Sequence, residues 1–239
     1  MGQFDWLVQE RSVTRFTAFD TETTGLDAAA GRIIELGGIS FDAAGIIARF
    51  NTLIQPGIPV PPEASRVNGI TDAMLAGKPV FSQVAPDFLA FAAGSVLVAH
   101  NAGFDMTFMK AELARNGLPP LPHRVVDTVL LAKEVFPGLP KYSLQSLAAR
   151  FGIVAVDAHR AEDDARVCME LFNLCVQTLA DRLGLPQGQP AAEPEVQTAK
   201  TGQTPASITA QMPAPPDEDI EEYEDYADSE EESWGDEEF

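Results

Sequence analysis

The chain has 239 residues, is 45% hydrophobic and carries a formal net charge of −20. This length allows one large domain or one domain with a tail, and the hydrophobic fraction is ample for a core. No stretch approaches the ~20 apolar residues of a membrane span, and the opening MGQFDWLVQERSV lacks the basic-then-apolar order of a secretory signal, so a cytoplasmic protein is expected.

The charge is unevenly spread. Residues 201–239 hold 14 acidic side chains and no Lys, Arg or His, leaving 22 acids against 16 bases, a net of −6, in the first 200 residues. A mildly acidic body does not exclude a nucleic-acid partner, particularly if some of its acids bind metal. Cys168 and Cys175 fall seven residues apart in a helical pattern. They lie two turns apart along the axis, too far to pair without distortion, and are read as reduced core thiols.

In chain order, residues 1–14 form an N-terminal extension with a short helix around Trp6 and Leu7. Strands follow at 15–21, 32–41 and 46–54, the last two joined by the turn Asp42-Ala-Ala-Gly45, and an antiparallel arrangement of all three is simplest. Within the first, the stretch AFDTETTGL sets Asp20 and Glu22 one residue apart. Alternate strand residues share a face, so both carboxylates project from one side, about 6.6 to 7 Å apart along the chain. Phe16 and Ala18 share that face, which argues against a solvated side. Two like charges buried together call for a cation between them. Glu35 in the second strand is read as a sheet-edge charge or a partner for Arg32, outside any site.

Residues 56–62 read as a proline-rich loop, and Val67-Asn-Gly-Ile-Thr71 leads into a short helix at 72–76. A longer helix is expected at 82–92, with Val84, Phe88, Leu89 and Phe91 as its buried stripe. The apolar run 95–99 suggests a strand covered on both faces, and it ends in His100-Asn-Ala-Gly-Phe-Asp105. Asp105 then lies in the first turn of a helix running to about residue 116. Alone it would be an ordinary N-cap, but polar chemistry at the end of a parallel-type strand is where α/β sheets bind ligands. His100 and Asn101 read as supporting hydrogen-bonding groups. Asp127 fits a structural cap for a helix at 129–136, Ser143 caps a helix at 144–151, and Tyr142 is expected to pack.

The segment His159-Arg-Ala-Glu-Asp-Asp164 precedes a strong helix continuing to about residue 182. Asp164 has Cys168, Leu171, Phe172 and Cys175 at i+4, i+7, i+8 and i+11, so it points along the buried face. Asp163 shares its side with Arg166 and Glu170 and reads as a solvated charge. Asp164 is therefore the candidate ligand, and His159, beside converging carboxylates, a candidate base.

The segments FDTETTGL, VAHNAGFD and HRAEDD, in this order, resemble the three exonuclease motifs of the DEDDh family, which includes the proofreading subunits of bacterial DNA polymerases. The likeness runs over about residues 16–178 and takes in IIELGGISF, PGIPVPPEASRVNGIT and KYSLQSLAARFGI. It implies an α/β, ribonuclease-H-like exonuclease domain over 15–183, with a mixed five-stranded sheet flanked by helices. It also implies metal-dependent 3′–5′ exonuclease activity at the 3′ ends of DNA, with Asp20, Glu22, Asp105 and Asp164 holding two Mg²⁺ or Mn²⁺ ions and His159 as general base. Thr21, Thr23, Asn101 and Phe104, which flank these positions, are the expected substrate-binding residues. Asn68 stands where many members have His before Gly-Ile-Thr, a departure expected to spare the catalytic set. The rival readings are a 3′ exoribonuclease using the same five residues and a non-catalytic adaptor acting through its acidic tail.

Residues 184–216 form a Pro, Ala and Gln-rich linker and 217–239 an acidic tail. Such a composition cannot bury enough apolar area to offset the entropy of ordering, so disorder is expected. Ile220, Tyr223, Tyr226, Trp234 and Phe239 are spaced among the acids. They suggest a segment that docks in a basic groove of a partner, such as a DNA polymerase or another replication or repair protein, in preference to a DNA mimic lying over the chain's own site.

Overall fold

The computed structural model describes residues 2–185. Apart from Gly184 and Leu185, the expected linker and the acidic tail with its apolar anchors lie outside the described residues.

Three strands, β1 (Phe16–Thr23), β2 (Ile33–Asp42) and β3 (Gly45–Leu53), form the expected antiparallel meander. Later in the chain β4 (Val96–Ala99) joins β1 in parallel and β5 (Val125–Asp127) joins β4 in parallel. The order is β3-β2-β1-β4-β5, a mixed five-stranded sheet with β1 at its centre. Helices fill the connections: α1 (Asp5–Glu10), α2 (Pro62–Asn68), α3 (Asp72–Leu75), α4 (Phe81–Ala92), α5 (Ala102–Arg115), α6 (Thr128–Val135), α7 (Leu144–Phe151) and α8 (Ala161–Leu183). Among the described residues no helix is long and apolar enough to cross a membrane.

The period-two alternation of the strands feeds two apolar layers. Phe16 and Ala18 of β1 and Ile39 and Phe41 of β2 meet Cys168, Leu171, Phe172 and Cys175 of α8 on one face. Phe19, Leu36 and Leu97 meet Phe88, Phe108 and Met109 on the other. The face of β1 that carries Asp20 and Glu22 is thus the face roofed by α8. Leu7 of α1 is fully buried in the α8 layer, which gives the N-terminal extension a packing role. Both cysteines are free and buried, and burial pushes the Cys175 thiol up to about 12.

Three sequence expectations are corrected. The proline-rich stretch leads into a helix, α2, with Pro62 in its first turn and Gly69 closing it at φ 69°; Pro at a helix start and Gly just past its end are favourable there. On α4 the buried stripe is Phe81, Val84, Ala85, Phe88 and Ala92, with Leu89 and Phe91 only half-buried at its margin. Glu35 is not at a sheet edge: β2 lies between β3 and β1, and the side chain is fully buried. Its partner is Arg160, while Arg32 lies 4.0 Å from Glu112.

Candidate active site

Of β1, only Phe16, Thr17 and Ala18 pair with β4, so β1 runs on past the end of its parallel neighbour. The exposed edge and the overhanging end of β1 make the site. Asp20 and Glu22 project there from β1, and Asp164 reaches them from the first turn of α8. One carboxylate oxygen from each of the three lies within 4.8 Å of the others. Asp105, in the first turn of α5, occupies the position a longer β4 would take: its Oδ1 accepts the Thr21 N–H at 2.9 Å and the Thr21 hydroxyl at 2.7 Å.

This crowding has an electrostatic cost. Burial, reinforced by repulsion from Asp105, Asp164, Glu22 and Glu35, raises the Asp20 pKa well above the usual carboxylate range. Burial and the charges of Asp164 and Glu35 do the same to Glu22, with a side-chain hydrogen bond from Asn68 working in the opposite direction. Burial also pushes Asp105 up to about 7, against the pull of the Thr21 hydrogen bonds. Asp164 is raised by burial too, while His159 and the Gln145 amide favour its charged form. Among the described residues no Lys or Arg forms a salt bridge with Asp20, Glu22 or Asp164. Converging hard oxygen donors with no salt-bridged Lys or Arg among them, Arg160 acting on Glu22 only beyond that distance, fit a divalent cation.

Asp164 is held on both sides. Its Oδ1 accepts from Gln145 Nε2 at 3.1 Å, and its Oδ2 accepts the backbone N–H of His159 at 3.0 Å. His159 sits in the left-handed region at φ 61°. Asp163 is far from solvated: it accepts the N–H groups of Val156 and Asp157 at 2.7 and 2.8 Å and pairs with the Arg166 guanidinium at 2.7 Å. Burial alone would raise its pKa, but these hydrogen bonds hold it below the ordinary value.

Around the centre, Thr23 donates to the Gly25 carbonyl at 2.7 Å. Phe104 is half-buried against Phe108 with ring centroids 4.9 Å apart. Asn101 opens α5 at φ 56°, its N–H directed at Asp127. Asp127 caps α6 and also receives the N–H groups of Asn101 and Ala102, so it serves the starts of two helices. The half-buried His100 lies between the Thr128 hydroxyl and the Tyr142 carbonyl, each at 2.8 Å, and loss of solvent around it lowers its pKa to about 4. The Tyr142 hydroxyl donates to the Phe136 carbonyl, so this ring packs as expected.

Sequence reasoning missed Gln145, Asn68, Glu35 and Arg160. The one legible signal was Glu35, an acid inside the apolar run Ile33–Ile39 of β2. Asn68 does not stand apart from the acidic set, since its side chain hydrogen-bonds toward Glu22.

A mixed sheet with a carboxylate cluster beside the ends of its parallel strands is an α/β arrangement with a candidate metal site where such sheets bind ligands. A model of the Exonuclease family (RNase_T) matches residues 17–172, and the chain belongs to that family. It is 53% identical over 183 residues to the DNA polymerase III subunit epsilon of Treponema pallidum (strain Nichols), covering 76% of this chain and 85% of that one. It is 36% identical over 166 residues to the PolC-type DNA polymerase III of Caldanaerobacter subterraneus subsp. tengcongensis, covering 70% of this chain but only 12% of that much longer protein. Among solved structures, Exonuclease X in complex with 5′ overhanging duplex DNA aligns with a TM-score of 0.53 at 28% identity, over 73% of this chain and 95% of that one. E. coli Exonuclease I in complex with a dT13 oligonucleotide shares the fold, with a TM-score of 0.63 at 21% identity over 72% of this chain and 42% of that one.

Proposed function

We propose that the chain is a DEDDh-type 3′–5′ exonuclease, with residues 15–183 as its exonuclease domain, that hydrolyses phosphodiester bonds at the 3′ ends of DNA and releases nucleoside 5′-monophosphates. The observation that carries this reading is the Asp20, Glu22 and Asp164 cluster, with one oxygen of each within 4.8 Å of the others. Relatives named as DNA polymerase III subunits and a neighbour solved with duplex DNA favour DNA as substrate and a DNA polymerase as partner.

Asp20, Glu22, Asp105 and Asp164 would hold two divalent cations, Mg²⁺ or Mn²⁺ being suited to carboxylate oxygens. Such ions supply a nucleophilic water at neutral pH and offset charge on the attacking and leaving oxygens. The chain's own residues do the rest. Thr21 fixes the Asp105 carboxylate against the strand that carries Asp20 and Glu22. Gln145 and the His159 N–H orient Asp164. His159 would take the proton of the attacking water, the general-base role to which imidazole side chains are suited. Thr23, Asn101 and Phe104 are proposed to contact the terminal nucleotides. The acidic stretch 217–239, with its aromatic residues, is proposed to dock on a basic groove of the polymerase.

The test compares 5′-labelled single-stranded DNA, a duplex with a mismatched 3′ end and a matching RNA, each with Mg²⁺ or Mn²⁺. The expected result is stepwise shortening of the DNA from its 3′ end, abolished by Asp20→Asn with the circular dichroism spectrum unchanged. Faster turnover of the RNA would replace the substrate assignment. Inertness of the wild-type chain on all three would overturn the enzyme reading.

A further inference from the structure

His159 adopts a left-handed backbone conformation at φ 61°. For a residue with a Cβ this is costly, and it persists only where the surroundings over-determine it. Apolar burial does not supply the constraint. In the connection between α7 and α8, Val154 and Val156 are 69% and 81% exposed. Polar contacts hold the end of the loop instead.

The residue after His159 is clamped from across the sheet. Arg160 donates from Nε to Glu35 Oε2 at 2.9 Å and from Nη2 to Glu35 Oε1 at 2.7 Å, a bidentate fork. Glu35 Oε2 also accepts the N–H of Ala161 at 3.2 Å. Helix α8 has no side-chain cap of its own, so Glu35 of β2 takes that role, placing a carboxylate at the positive end of the helix. The strand and the helix start meet closely enough that a Cβ on Gly37 would lie 2.2 Å from the Ala161 carbonyl carbon. Glu35 is also the register partner of Glu22 on β1. One fully buried carboxylate therefore ties together the strand pair that bears Glu22, the helix that bears Asp164 and the residue adjoining His159.

Resting on the exonuclease reading with His159 as base, we infer that Arg160 and Glu35 are positioning residues for this reaction: their bidentate pair locks the peptide on the C-terminal side of His159, while the His159 N–H to Asp164 locks the other side, and together they fix where the imidazole stands relative to the carboxylate cluster. The pair acts through His159 and need not touch the nucleic acid. The Arg160 charge nevertheless acts on Glu22, and its side chain is 29% exposed, so direct binding of a substrate phosphate is the competing role, and the two roles separate kinetically.

The experiment uses the full chain and steady-state turnover of 5′-labelled single-stranded DNA. Arg160→Gln, Arg160→Lys and the charge-neutral double variant Glu35→Gln/Arg160→Gln are each made in the wild-type and His159→Ala backgrounds, with thermal melts to confirm folding. The double variant leaves no unpaired buried carboxylate and so remains testable if Arg160→Gln fails to fold. Misplacement of a catalytic group by about 1 Å lowers kcat roughly 100-fold, and that loss, with KM little changed, is the expected result. Arg160→Lys is not expected to rescue, because an ammonium keeps the charge but not the fork. In the His159→Ala background the same substitutions should cost less than about 3-fold, because groups that act as a unit are non-additive. Equal losses in both backgrounds, unchanged kcat in folded variants, or a raised KM with kcat retained would each overturn the inference. If His159→Ala itself keeps near-wild-type kcat, the base assignment has failed, and that result is read before Arg160 is considered and takes this inference with it.

Discussion

Thr21 gives both of its donors to a single oxygen of Asp105, the backbone N–H at 2.9 Å and the hydroxyl at 2.7 Å. Thr21 lies between Asp20 and Glu22 in sequence, and its side chain points to the opposite face of β1. The middle residue of the triplet thus ties the carboxylate of α5 to the strand that carries the other two. It does so where β1 has outrun β4 and its edge N–H would otherwise lack a partner.

The first expectation concerns that tie. Thr21→Val keeps the branched shape and the backbone donor but loses the hydroxyl. Activity titrated with Mg²⁺ should require roughly 10-fold more metal, as for other groups that orient a ligand. Stability should fall by about 1 kcal/mol. An unchanged metal titration would separate Asp105 from the metal site.

The adjacent aspartates should behave differently. Asp164→Asn is expected to cost orders of magnitude in kcat with little change in melting temperature. Asp163 holds Val156, Asp157 and Arg166, so Asp163→Asn should lower stability by about 1–3 kcal/mol while turnover stays within a few-fold. The reverse ranking would mean that the face of α8 has been misassigned.

Gly37→Ala tests the approach of β2 to α8. The added Cβ meets backbone atoms of Ala161 and Glu162 at 2.2 to 2.4 Å, which no side-chain rotation can relieve. Overpacking of this kind costs about 1–3 kcal/mol or more. Both the melting temperature and kcat should drop, since moving the helix start also moves Asp164.

His100 should make the protein acid-sensitive in a defined window. Its folded pKa is near 4 against an ordinary 6.5, lowered by burial. Between those values the unfolded chain binds the extra proton and the folded one does not. The neutral imidazole therefore contributes full stability above about pH 6.5, and this is lost as pH falls toward 4, by roughly 3 kcal/mol in all. His100→Asn should flatten that part of the profile, so the gap in melting temperature between wild type and variant should narrow from pH 7.5 to pH 5. A constant gap would show that His100 does not titrate in this way.

The carboxylate cluster has the opposite sign. Asp20, Glu22 and Asp164 are raised, and Asp105 reaches about 7. The folded state therefore holds protons that the unfolded state releases, and the charged cluster destabilises the metal-free protein at high pH, a penalty relieved as pH falls, for Asp105 through about 7. Divalent cations compete with those protons for the same oxygens. The gain in melting temperature on adding Mg²⁺ or Mn²⁺ should be larger at pH 8 than at pH 6, reversed by chelator, and much reduced in Asp20→Asn. Equal gains at both pH values, or in both proteins, would place the bound ion elsewhere.

What was legible in the sequence was local. The period of two set Asp20 and Glu22 on the face of Phe16 and Ala18, and the period of 3.6 chose Asp164 over Asp163 for the buried side of α8. Turn residues marked the β2–β3 hairpin, and an apolar run marked β4. Each of these follows from a residue's relation to neighbours within about three helical turns. Helix α2 was within that range and was still missed, because its prolines read as a loop although Pro62 at a helix start is favourable.

The placement of β4 and β5 beside β1 and the docking of α8 belong to the tertiary structure alone. Glu35 looked like an edge charge because nothing near it in the chain reveals that β2 is covered on both sides, nor that its partner Arg160 stands 125 residues away. Gln145, Asn68 and the clasp of Thr21 on Asp105 were hidden for the same reason. A hydrogen bond between distant segments is set by which elements pack together and in what register. Those choices minimise the free energy of the whole core, so no short window of sequence carries them.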